Sequence, residues 1–147
     1  MISACLLGEP VRYDGRSCPL IHPDLETLKK YADLIPFCPE VAGGLAIPRP
    51  PAEIRKNRIV TREKQDVTAA FERGANLALD QVLQLEISLA LLKEKSPSCG
   101  VNQIYDGTFS GQLIPGKGAT AKKLEKAGVE TFSEDDIHAL LLKIAPE

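Results

Sequence analysis

Lys93-Glu94-Lys95-Ser96-Pro97-Ser98-Cys99-Gly100, which follows the run Ile87 to Leu92, decides the fold. Six residues that are apolar but for Ser88, bounded by polar groups, read as a strand buried on both faces, and Pro97 and Gly100 then force a turn. The turn presents Cys99 at the carboxyl end of that strand. Open parallel α/β sheets bind ligands outside the carboxyl ends of their strands, so a thiol there carries a functional expectation that an average buried cysteine does not.

Outward from this stretch, the same pattern recurs. Met1 to Leu7 is apolar apart from Ser3 and reads as a first central strand, with Cys5 near its end and Gly8, Pro10 and Asp14-Gly15 breaking it. Pro23-Asp24, then Leu25, Leu28 and Ala32, predict a short amphipathic helix with proline and acids in its first turn. Leu34 to Phe37 predicts a second strand, and Cys38 follows it at once. From Pro39 to about Lys64 the reading is a long loop, in which Gly43-Gly44 and Pro48-Arg49-Pro50-Pro51 favour extended geometry. Asp66 caps a helix through about Gln84, whose apolar face is Phe71, Ala75, Ala78 and Val82. Ile104 to Phe109 reads as a short hairpin or edge piece. Ala119 to Ala127 predicts a helix ended by Gly128, Val129 to Phe132 a fourth strand, and Ser133 opens a last helix with Ile137, Leu140, Leu141 and Ile144 on its apolar face. The order βαβαβαβα implies one α/β domain over residues 1–147: a three-layer, Rossmann-like arrangement with a mostly parallel sheet of about four strands flanked by helices.

A net charge of -2 with scattered lysines argues against a polymeric nucleic acid as partner. No apolar run approaches the length of a membrane span, and no basic segment precedes a long apolar one, so a cytoplasmic protein without membrane association is expected. In a reducing compartment the four cysteines are expected to be metal-binding, catalytic or buried rather than disulfide-bonded.

Cys5, Cys38 and Cys99 each fall at or just beyond the end of a different strand, so three thiols distant in sequence converge on one sheet edge. The alternative, that they fill core space, stays open. Structural zinc fits less well, because there is no C-x-x-C pair, whereas three thiolates suit an iron-sulfur cluster with one iron left open. Cys18 follows no strand and reads as a bystander or a fourth ligand. Glu40, two residues beyond Cys38, is a proton-transfer candidate if buried. Ser96 and Ser98 are candidate donors to a cluster sulfur or a substrate, against turn bonding; Asp14 is weighed against an Asx bond to its own backbone. Arg12, Arg49 and Arg55 read as solvated, with anion contact as the alternative. His22 and His138 lie on or beside helices and read as surface or packing residues.

Ser3-Ala4-Cys5-Leu6-Leu7-Gly8 with Val11-Arg12-Tyr13-Asp14-Gly15, Pro36-Phe37-Cys38-Pro39-Glu40-Val41, Pro48 to Ile54, Leu92-Lys93-Glu94 with Ser96-Pro97-Ser98-Cys99-Gly100, and Tyr105-Asp106-Gly107-Thr108-Phe109 together resemble the bacterial thiouracil desulfurase family. The resemblance implies a [4Fe-4S] cluster held by Cys5, Cys38 and Cys99 with the fourth iron free, and non-redox replacement of a thiocarbonyl sulfur by oxygen in a small thiolated substrate. It carries over Glu40 and Ser96 as catalytic residues, with Asp14 and Ser98 next. Backbone of the Gly43-Gly44 segment and the proline loop is expected to bind the flat ring. Two other readings remain: a structural metal or cluster protein, and a metal-free enzyme in which Cys99 carries sulfur as a persulfide. A monomer and a homodimer are both compatible with the chain.

Overall fold

The computed structural model describes residues 1–145. Strand β1 (Ile2–Ser3) gives way at once to a 3-10 turn over Ala4–Leu7, closed by Gly8 at φ +95°. The strand expected over Met1 to Leu7 is therefore only two residues long. A short apolar run demands burial without specifying extension, and here Gly8 and Glu9 donate their N–H groups back to Cys5 and Ala4 rather than to a sheet neighbour.

Helix α1 (Pro23–Tyr31) is capped by His22, whose Nδ1 accepts the Asp24 N–H at 3.0 Å. Strand β2 (Pro36–Phe37) leads through Cys38 into the one-turn helix α2 (Pro39–Ala42). The segment read as a loop to Lys64 thus holds a helix, and it also holds a hairpin of β3 (Ala52–Arg55) and β4 (Arg58–Thr61). Its two-residue turn, Lys56-Asn57, has both residues in the left-handed region, φ 50° and 64°, the primed geometry that suits the twist of paired strands. Helix α3 (Thr68–Gln84) buries Phe71, Ala75, Ala78 and Val82 as its spacing predicts, with Asp66 Oδ1 accepting the Thr68 N–H at 2.9 Å. Strand β5 (Leu89–Leu92) follows.

Next, β6 (Gln103–Tyr105) pairs antiparallel with β7 (Leu113–Pro115), so residues 106–109, read as part of a hairpin strand, belong to its connecting loop. Helix α4 (Ala119–Lys126), strand β8 (Glu130–Ser133) and helix α5 (Ile137–Ile144) complete the described chain.

β1, β2, β5 and β8 form one parallel sheet in the order β2-β1-β5-β8, and the two hairpins stand outside it. Along β5 the side chains alternate: Leu91 enters a core with α1 and α5, while Ala90 and Leu92 enter a second core with α3 and α4. That alternation makes three layers, as expected from the βαβαβαβα order. From β1 the chain crosses to β2 on one side, then returns past it to β5 on the other, so β1 and β5 flank the point where the strand order reverses.

Candidate active site

Beyond the carboxyl ends of β1, β2 and β5 lies a cavity of about 540 Å³, and Cys5, Cys38 and Cys99 all line it. Each thiol is held by a different local device. Cys5 lies in the 3-10 turn that follows β1. Cys38 is the N-cap residue of α2, and α2 is pressed against α3 through two glycines: a Cβ on Gly74 would lie 1.9 Å from the Pro39 carbonyl oxygen, and one on Gly43 2.1 Å from that of Ala70. Gly43 therefore serves packing, and neither Gly43 nor Gly44 lines the cavity; the expected ring contact from that segment is not made, although Pro50 and Pro51 do line it.

Cys99 is fixed by the turn that Ser96 caps. The Ser96 hydroxyl oxygen accepts the N–H groups of Ser98 (3.1 Å) and Cys99 (3.0 Å), while the carbonyls of Pro97 and Ser98 accept the first N–H groups of α4. Ser98 is fully buried and shares a 2.8 Å hydrogen bond with Thr120 of α4; it anchors this turn and does not line the cavity. Glu94 secures the other side. Its buried carboxylate accepts the N–H groups of Val101, Asn102 and Gln103 at 2.8–3.2 Å and the Asn102 amide at 2.8 Å. Burial pushes its pKa up, but the Asn102, Gln103 and Val101 donors outweigh that, leaving it below the usual carboxylate range.

Glu40 and Ser96 meet at the cavity. Glu40 Oε1 accepts from Arg49 Nε at 3.1 Å and Oε2 from the Ser96 hydroxyl at 3.5 Å. With side chains only 6% and 17% exposed, Arg49 and Glu40 are a buried pair, contrary to the solvated reading of Arg49. Arg49 is also tied to the Val11 carbonyl at 2.8 Å and that of Ala46 at 3.1 Å. Burial pushes the Glu40 carboxyl up, Arg49 and Ser96 pull it back, and the net result lies above its ordinary value. Sequence separation hid this pair: eight residues, two of them glycines, stand between its members.

Asp14 is not brought to the cavity wall. It accepts the Arg16 N–H at 3.0 Å in an Asx bond and pairs with Arg12 at 3.4 Å. Cys18 is half-buried beside Cys5, its N–H donating to the Cys5 carbonyl at 3.1 Å. Lys93, which the sequence reading passed over, lines the cavity and is held by Glu134 at 2.9 Å; burial pulls its pKa down, Glu134 more than restores it, and the ammonium stays charged. Its signal was position alone, directly after the strand that leads to Cys99.

Burial pushes the Cys5 thiol up to about 11 and the Cys99 thiol up to about 12, and it also raises Cys38 despite the N–H groups of Val41 and Glu40 aimed at its sulfur. Thiols so raised are poor free nucleophiles, and only a positive partner such as a metal offsets the cost of ionising them here. Among the described residues no three His, Cys, Asp or Glu side chains form a site for a single metal ion, and the three thiols share the lining of one cavity. Also among those residues, no helix is long and apolar enough to cross a membrane.

A parallel three-layer α/β protein with a cavity beyond its strand ends, lined by thiols from three of them, has the layout in which enzymes of this architecture bind small molecules. This chain belongs to the 2-thiouracil desulfurase family, whose family model matches residues 1–136. It is 38% identical over 154 aligned residues to the uncharacterized protein YbbK of Bacillus subtilis strain 168, covering 96% of this chain and 99% of that protein. Its fold superposes on the solved structure of the [4Fe-4S]-dependent thiouracil desulfidase TudS with a TM-score of 0.92, at 49% identity, covering 98% of this chain and 97% of the other.

Proposed function

We propose that this protein, as a single desulfurase-like domain, removes sulfur from a thiolated nucleobase such as thiouracil, and that Cys5, Cys38 and Cys99 hold a [4Fe-4S] cluster with one iron left open. Three thiols distributed around one cavity carry the reading. A cluster asks for one thiolate per iron, spread over its corners, whereas one zinc ion asks for donors converging on a point. The raised thiol pKa values fit the same role, because a bound metal replaces the proton that burial otherwise retains. The relation to the [4Fe-4S]-dependent desulfidase at 49% identity supports the choice of cluster.

When bound, such a cluster supplies a Lewis acid for the thiocarbonyl sulfur, making the adjacent ring carbon electrophilic. Glu40, ionised when its proton has left, takes a proton from water as the oxygen bonds to that carbon, and returns it as the carbon–sulfur bond breaks. The balance is thiocarbonyl plus water giving carbonyl plus hydrogen sulfide, with no net electron transfer. Arg49 holds the Glu40 carboxylate in place, and the Ser96 hydroxyl orients it while fixing Cys99. Asp14 and Ser98 we assign to loop support, since neither lines the cavity.

The test is iron and acid-labile sulfide content, with turnover of 2-thiouracil to uracil and sulfide, on protein reconstituted without oxygen. Roughly four iron atoms per chain and stoichiometric uracil and sulfide are expected. Protein that stays metal-free after reconstitution, or loaded protein that releases no sulfide, overturns the reading.

A further inference from the structure

The roof of the cavity is built from the two hairpins outside the sheet, and one carboxylate joins them. Glu53 of β3 accepts the N–H groups of Gly107 (3.0 Å) and Phe109 (3.1 Å) from the β6–β7 loop through a single oxygen, Oε1. Gly107 is pressed so close to β3 that a Cβ would lie 2.8 Å from the Ile54 carbonyl oxygen. Phe109 itself sits at φ 57°, a conformation that is costly for a bulky side chain and is retained where its surroundings enforce it. Its ring is half-buried at the cavity wall rather than in either core, with the Arg62 guanidinium 5.6 Å from the ring centroid. Arg62 is itself exposed, and its guanidinium lies over one face of this ring.

We propose that Phe109 is the plate on which the planar heterocycle of the substrate stacks, with Arg62 completing the stack and Glu53 acting as the positioning residue that holds Phe109 in its strained conformation. The inference rests on the desulfuration reading for the identity of the ring. A flat, electron-poor pyrimidine has a π face to offer an aromatic plate; a saturated ring with the same carbonyls and N–H groups does not. Phe109 thus selects for aromaticity, while the thiol-lined wall selects for sulfur.

Ligand-observed NMR titration of cluster-reconstituted wild type, Phe109→Leu and Phe109→Tyr with uracil and with 5,6-dihydrouracil tests this. Leucine keeps an apolar side chain of similar size and removes only the π face. The expected result is a wild-type preference for uracil that falls at least about fivefold in Phe109→Leu and survives in Phe109→Tyr, with dihydrouracil affinity changing by less than about twofold. Glu53→Ala should lose the same preference, and Glu53→Gln, whose carbonyl oxygen can accept both N–H groups, should keep it. A wild type that binds neither ring or does not distinguish them overturns the proposal, as does a Phe109→Leu protein with unchanged preference or with equal weakening toward both. Turnover of 2-thiouracil in the same samples separates the two readings. Ring selectivity without sulfide release strikes the desulfuration reading alone, and sulfide release with unaltered selectivity strikes the plate alone.

Discussion

Glu40 carries two opposed influences, and their balance is measurable. Burial raises its pKa and Arg49 lowers it, with burial prevailing. As the ionised form is the base, turnover should rise with pH through a midpoint above the ordinary carboxylate value, and Arg49→Gln should move that midpoint further up, because the removed cation favoured the ionised form. A pH–rate profile checks both the direction and the shift. Glu40→Gln should retain iron and lose turnover by on the order of 10²-fold or more; an unimpaired variant would remove Glu40 from the chemistry. Glu94 acts on stability instead. Its pKa lies below the ordinary 4.5, so its contribution is fully present above that value and is lost as pH falls through the depressed one. Urea midpoints between pH 6 and pH 3 should therefore fall more steeply for wild type than for Glu94→Gln. Glu94→Ala, which leaves several N–H groups without an acceptor, should cost on the order of 3 kcal/mol in the same assay.

At the scale of elements, α2 is a single turn that supports both Cys38 and Glu40, and a helix this short has no stability of its own. It exists because Gly43 and Gly74 let it lie directly on α3. Gly74→Ala should force the two helices apart, lower stability by roughly 2–4 kcal/mol in denaturant titration, and deplete iron even where the fold survives. These elements differ in how far the chain announces them. The four sheet strands and the helices α1, α3, α4 and α5 were legible because their apolar spacing matches the period of the element. The β3–β4 hairpin was not: Lys56-Asn57 lacks the glycine that marks most primed turns, and the prolines before it suggested an extended loop. The short extent of β1 was hidden for another reason, since burial looks alike in a strand and in a 3-10 turn.

Over the whole molecule, three loops after three parallel strands meet at the point where the strand order reverses, and the thiol-lined cavity lies there. Cys5→Ala, Cys38→Ala and Cys99→Ala should each lose iron together with turnover, whereas Cys18→Ala should keep iron within the scatter of wild type. Metal analysis and the visible spectrum of reconstituted protein decide this, and a Cys18→Ala protein without iron would make that thiol a ligand.

The sequence by itself determined the α/β order, the placement of Cys5, Cys38 and Cys99 just beyond strand ends, and the proximity of Glu40 to one of them, because these depend on periodicity and on a few residues of local chain. Only the tertiary structure decided that Arg49 and Ser96 flank Glu40, that Ser98 and Asp14 do not line the cavity while Lys93 does, that Glu94 organises the turn around Cys99, and that Glu53 holds the loop carrying Phe109 at the cavity wall. Each of those facts is a contact between side chains or loops whose approach depends on how helices and hairpins pack, and such packing is a property of the assembled layers rather than of any local stretch.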